Sequence, residues 1–100
     1  MNKPFDMELF ITGVLKGSNA SRQRHIRQAK VIQTAISKRW QRDNPWKWQK
    51  KYLIWFLTHR INHRSESTRY YYWLTAKLID LRLAKSWFKN NKYRELRGEA

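Results

Sequence analysis

Residues 20–42 read ASRQRHIRQAKVIQTAISKRWQR, and the spacing of their apolar side chains decides the fold class. Ile26, Ala29, Gln33, Ile36 and Trp40 recur at steps of three and four, with Ile32 on the same side. That is the period of an amphipathic helix and not the alternation of a half-buried strand. The stripe predicts one face turned to a core. The other faces carry Arg22, Arg24, Arg27, Lys30, Lys38, Arg39 and Arg42, more positive charge than solubility requires.

On the N-terminal side, Gly17-Ser18-Asn19 ends a first helix expected over 5–15, with Phe10, Ile11, Val14 and Leu15 apolar, and Ser18 or Asn19 supplies the next cap. On the other side, Asp43-Asn44-Pro45 joins a capping side chain to a Pro at the first helical position, where a missing N–H costs nothing. A third helix is expected over 45–62, with Trp48, Tyr52, Trp55, Phe56 and His59 along one side. After a polar link at 63–66, Ser65 or Ser67 caps a fourth helix extending to about residue 90, with Tyr71, Leu74, Leu78, Leu81 and Phe88 at helical spacing. Three Gly and two Pro leave no pattern of short strands and turns. The expectation is an all-α single domain over 1–100, a compact bundle of four to five helices with its core over about 5–90 and a polar tail at 91–100.

The second and fourth helices also match at an offset of 47 residues. Ala29-Lys30-Val31-Ile32 corresponds to Ala76-Lys77-Leu78-Ile79, Ile36 to Leu83, Lys38 to Lys85 and Trp40 to Trp87. Any two basic amphipathic helices share a period, so duplication and coincidence both account for the match. Either way, two similarly built helices flank the third.

Composition narrows the function class. One hundred residues with 22 Lys and Arg against seven Asp and Glu give a formal net charge of +15, which repels itself unless a polyanion or counterions neutralise it. With six Trp, five Tyr and four Phe the chain is too aromatic for a disordered basic tail. It has no cysteine, hence no disulfide or thiolate metal site, which suits a reducing cytoplasm. The stretch 5–15 contains Asp6 and Glu8 and lacks a small-residue cleavage pattern, so it reads poorly as a signal peptide, and no run reaches the ~18 apolar residues of a membrane span. A cytoplasmic protein with an anionic partner is expected.

The segment Ser65-Glu66-Ser67-Thr68-Arg69-Tyr70-Tyr71-Tyr72-Trp73-Leu74, following Tyr52-Leu53-Ile54-Trp55-Phe56-Leu57 and the Ser21-Arg22 start of the second helix, resembles the core-binding domain of tyrosine recombinases, the phage integrase class. The likeness runs over about 7–88 and rests on the spacing of apolar residues. It implies a SAM-like bundle clamping one face of duplex DNA, with basic and hydroxyl side chains of the middle and last helices near the major groove. In that family the chemistry resides in a separate domain with an Arg, a Lys, a His-x-x-Arg motif and a nucleophilic Tyr. Here His25-Ile26-Arg27-Gln28, His59-Arg60-Ile61-Asn62 and His63-Arg64-Ser65-Glu66 all miss His-x-x-Arg, so strand cleavage is not expected. The chain reads either as an excised domain or as a stand-alone relative from a mobile genetic element, and the Met1 start favours the second.

The candidate nucleic-acid contacts are Arg22, Arg24, Arg27 and Lys30 on the second helix, Lys47, Lys50 and Lys51 near the start of the third, Arg64, Ser67, Thr68, Arg69 and Tyr70 around the start of the fourth, and Lys77 along it. Free N–H groups at a helix start favour an anion, and each Lys or Arg that neutralises a phosphate adds a salt-dependent increment to affinity. Plain capping and a solvated charged face compete with this reading for any single member. Arg64, Arg69 and the third helix's lysines form one patch only if those two helix starts share a side of the bundle.

Two alternatives remain open. The Tyr70-Tyr71-Tyr72-Trp73 run cannot point wholly inward, and exposed rings beside cations suit RNA or single strands. A protein partner or an anionic membrane, met through the amphipathic first helix, is the other. His59 and His63 lack a third ligand at useful spacing, so neither metal nor cofactor is expected, and no Ser-His-Asp set, carboxylate pair or glycine-rich phosphate loop provides a reaction centre.

Overall fold

Two serines fix where the long helices begin. Ser18 accepts a hydrogen bond from the Ser21 N–H (3.2 Å) and opens α2 (Asn19–Trp40), while Ser65 accepts from the Thr68 N–H (3.3 Å) and opens α4 (Glu66–Leu83). Each relieves one of the unpaired N–H groups of a first helical turn. The computed structural model describes residues 4–88, and among these the secondary structure is helix and turn without a strand. Before α2 comes a short α1 (Met7–Thr12), capped by Asp6, whose Oδ1 accepts from the Leu9 N–H at 3.0 Å. It stops before residue 15 because Val14 and Leu15 bond three residues back in a tightening last turn. Gly17 then turns the chain at φ +96°, a conformation that suits glycine.

The helix expected over 45–62 is three pieces. Pro45 opens a 3₁₀ turn (Pro45–Lys47) capped by the Asn44 side chain, as the boundary signal predicts. Trp48 and Gln49 are extended, because the Trp48 indole swings inward and donates to the Arg42 carbonyl at 2.7 Å, an acceptor beyond the end of α2. Only then does α3 (Lys50–Trp55) begin, running into a π-helical turn (Phe56–Arg60). The Thr58 hydroxyl donates to the Ile54 carbonyl at 2.7 Å and competes for the acceptor of an ordinary α-turn, while the Ile61 N–H reaches back to Phe56. Tyr52, Leu53 and Phe56 are buried here. Trp55 is only half-buried, edge-on to Trp40 with Arg39 over its ring, and His59 is exposed.

α4 departs from expectation in length and in rotation. It ends at Leu83, not near residue 90, where Ala84 takes a left-handed φ of 57°. The buried Asp80 carboxylate then accepts from the Trp87 and Phe88 N–H groups, both at 3.1 Å, and draws Phe88 into the core by a chain reversal instead of a further helical turn. Its inner face carries Trp73, Thr75, Ala76, Ile79, Asp80 and Leu83, whereas Tyr71 and Leu81 are exposed and Leu74 and Leu78 are half-buried. The Thr75 hydroxyl, bonded to Gln28 of α2 at 2.8 Å with the fully buried Ala76 beside it, turns this face of α4 inward.

The offset of 47 is expressed in the packing. The caps Ser18 and Ser65 correspond, and Ile26/Trp73, Gln28/Thr75, Ala29/Ala76, Ile32/Ile79, Gln33/Asp80 and Ile36/Leu83 are buried in both helices. Gln28 Oε1 accepts from Thr75 Oγ1 at 2.8 Å, so equivalent positions touch where the helices meet. Met7, Phe10 and Ile11 of α1 close the core on one side, leaving Leu9 exposed. Arg82 holds α1 there, its Nε donating to the Phe10 carbonyl at 2.9 Å and its guanidinium covering the Phe10 and Trp46 rings. The radius of gyration is 13.0 Å, that of a close-packed chain of this size. Among the described residues no helix is long and apolar enough to cross a membrane.

Candidate nucleic-acid interface

The acidic side chains are largely committed to the backbone. Asp6 caps α1, Asp43 accepts from the Phe5 N–H, and Asp80 binds the turn after α4. Glu8 pairs with Lys30 at 3.3 Å, with both side chains about half exposed, so that bond is weak and screened. Most of the described Lys and Arg side chains lie at the exterior.

Several of them converge on one face of α2. Arg27, Lys30, Val31, Thr34 and Lys38 share a helical stripe opposite the core, and Arg60 from the π-helical turn closes its side, making an open groove of about 340 Å³. From Arg27 to Lys38 the helix rises about 16 Å, so the cations form a row and not a point. Val31 and the buried Ala35 give the groove a narrow apolar floor between the positive side chains.

The other sequence candidates do not join that row. Arg22 is exposed near the start of α2, and Arg24 is half-buried with its guanidinium 4.4 Å from the centre of the Tyr71 ring. Lys47 lies on the 3₁₀ turn and Lys50 and Lys51 on the first turn of α3. Arg64 precedes α4 beyond the far end of the run 50–60, while it is the other end of α4 that meets the 3₁₀ turn, where Arg82 lies over the Trp46 ring. The starts of α3 and α4 thus lie at opposite ends of this run, and Arg64 and Arg69 do not form one patch with the lysines. Ser65, not Ser67, is the cap; Thr68 Oγ1 accepts from Ser65 Oγ at 2.9 Å, and Ser67 is exposed. Arg69 is half-buried, Tyr70 stacks near Trp73, and Lys77 lies 4.6 Å over the Trp73 ring on the outer face of α4.

Lys38 and Arg60 are functional candidates that the sequence reading left off its site. Lys38 was legible, since it falls eleven residues after Arg27 on the same stripe. Arg60 was not, because its position depends on the π-helical turn. His25, between α2 and α4, has its Nδ1 2.8 Å from Thr75 Oγ1, and its pKa is lowered by burial and by the neighbouring Arg24 charge. His59 Nδ1 meets the Thr58 hydroxyl at 2.8 Å, and no three metal-ligating side chains gather among the described residues. The chain matches no protein-family model, no curated protein and no solved structure.

Proposed function

We propose that this chain is a non-catalytic DNA-binding accessory or regulatory protein of the cytoplasm that grips duplex DNA along the outer stripe of α2. The observation that carries the reading is the groove in which Arg27, Lys30, Lys38 and Arg60 surround Val31 and Thr34. A row of cations about 16 Å long spans successive phosphates of one strand, and each neutralised phosphate releases condensed counterions.

Duplex is favoured over single strands by the state of the exposed aromatics. Arg24 covers one face of Tyr71, Trp46 lies edge-on to Phe10 beneath Arg82, and Tyr70 packs near Trp73, so each exposed ring already has a neighbour in the fold that an unstacked base would have to displace or share. The likeness to the core-binding domain of tyrosine recombinases supplies the architecture proposed here, a SAM-like bundle that clamps DNA without the cutting domain, in a mobile-element setting. The helical order with serine-capped α2 and α4 supports it.

Titration of the purified protein against a mixed-sequence duplex, single-stranded DNA and structured RNA at two salt concentrations tests the reading. Tightest binding to duplex is expected, and Arg27→Ala and Lys38→Ala should each weaken it and flatten the log–log salt slope by about 0.9. Unchanged slopes in both variants remove the stripe from the contact surface. Tighter binding to single strands with tryptophan quenching overturns the duplex reading in favour of base stacking.

A further inference from the structure

The outer groove of α2 has a counterpart on α4 with altered chemistry. At the offset of 47, Lys30, Val31 and Lys38 correspond to Lys77, Leu78 and Lys85, so the frame of two lysines about an aliphatic side chain is kept. Arg27 and Thr34 correspond to Leu74 and Leu81. A cationic, hydroxyl-bearing stripe has thus become a row of leucines at i, i+4 and i+7, with Lys77 beside it and Lys85 just past the end of α4. These residues line a second open groove of about 630 Å³, floored by Phe88. Leu81 is 64% exposed, an unusual cost for an aliphatic side chain in a chain otherwise rich in surface charge. The groove's one carboxylate, Asp80, is turned inward onto the Trp87 and Phe88 N–H groups and does not neutralise Lys77 or Lys85.

We propose that the α4 groove is a docking site for an acidic amphipathic helix of a partner protein. Leucine-type side chains of the partner would cover Leu74, Leu78 and Leu81, and carboxylates on its flanks would meet Lys77 and Lys85, the helix-in-groove mode of recognition. Charge decides among occupants. A second copy of this chain brings another +15, and the chain's own residues 89–100 carry four Lys and Arg against two Glu, so both are repelled by the lysines that an acidic helix would neutralise. A duplex would leave the leucine row unburied. The proposal stands apart from the nucleic-acid reading, because it concerns the other long helix and survives if no polynucleotide binds.

The probe is a fluorescein-labelled synthetic peptide of about 18 residues, long enough to hold a helix, with leucines at every third and fourth position and flanking glutamates. A control peptide carries lysines in place of the glutamates. The full chain is expected to bind the acidic peptide and not the basic one, and Leu81→Glu and Lys85→Glu should each weaken binding by about tenfold or more. Both positions are exposed, so circular dichroism and a melting temperature near those of the parent chain show that each variant is folded. Failure to bind the acidic peptide, or equal binding by both variants, overturns the proposal. So does a dimer in sedimentation that Leu81→Glu dissociates, or phosphatidylserine vesicles captured in a Leu81-dependent way, which would give the groove to a second copy or to a membrane.

Discussion

Thr75 Oγ1 has one proton and two acceptors in reach, Gln28 Oε1 at 2.8 Å and the Tyr71 carbonyl at 3.1 Å, so it donates to one of them and accepts from His25 Nδ1–H. In its neutral form the imidazole then carries its proton on Nδ1, and burial and then Arg24 lower its pKa from the ordinary 6.5. Of the charged groups lining the same groove, Lys77 and Lys85 are cationic and the Asp80 carboxylate is turned onto the Trp87 and Phe88 N–H groups. Above 6.5 the imidazole is neutral in both folded and unfolded chains and costs nothing. As pH falls from there towards the lowered folded value, the unfolded chain takes up the proton first, so stability is lost with acidification across that window. Melting temperature should drop across it, and His25→Asn, which keeps a donor near Nδ1 but does not titrate, should flatten the drop; an equal drop in both proteins assigns the acid sensitivity to another group. Burial makes a second distinction between neighbours. Phe56 is fully enclosed, so Phe56→Ala should cost about 3–5 kcal/mol in urea denaturation. Trp55→Ala should cost visibly less, since that ring keeps one side in water, and the reverse order would contradict the rotation of α3 described above.

Helix starts and helix faces behave differently as elements. Ser65 supplies the bond to the Thr68 N–H, so Ser65→Ala should destabilise by about 1 kcal/mol, whereas Ser67→Ala should stay within about 0.5 kcal/mol; equal losses would mean that either serine can take the capping role. The starts of α2 and α4 could be read in the sequence because a cap is local chemistry within four residues. The inner face of α2 was equally legible, having one apolar stripe and cations elsewhere. α4 carries two stripes, Leu74-Leu78-Leu81 and Trp73-Ala76-Ile79-Leu83, and periodicity alone favoured the wrong one. What selects between them is the packing of α4 on α2, where Thr75 bonds Gln28, a tertiary condition that no window of sequence contains. The third segment failed for the same kind of reason: Pro45 announced a start, but the bond from Trp48 to the Arg42 carbonyl breaks the helix that the apolar spacing promised. The candidate site divides likewise, with Lys38 visible as a member of a stripe and Arg60 delivered by a turn that α-helical spacing does not anticipate.

At the scale of the molecule, charge and size set how folding responds to salt. The principal extents are 45 × 32 × 25 Å, and the whole chain carries a formal +15. At 0.01 M ionic strength the screening length is about 30 Å, so cations on opposite faces repel through and around the fold; at 0.15 M it is about 8 Å and only neighbours within one face interact. Carboxylates are too few to offset this repulsion, seven Asp and Glu standing against 22 Lys and Arg. Added salt therefore has more repulsion to remove than attraction to weaken. The melting temperature should climb as sodium chloride is raised from about 0.01 to about 0.15 M. A double variant, Arg27→Gln with Lys38→Gln, should melt higher than the parent at the low-salt end and converge with it at the high-salt end, because the gain comes from relieving a concentrated row of like charge. A melting temperature that is flat or falls with salt would mean that the cations are already balanced within the fold, and the α2 stripe would then have no excess field with which to draw a polyanion.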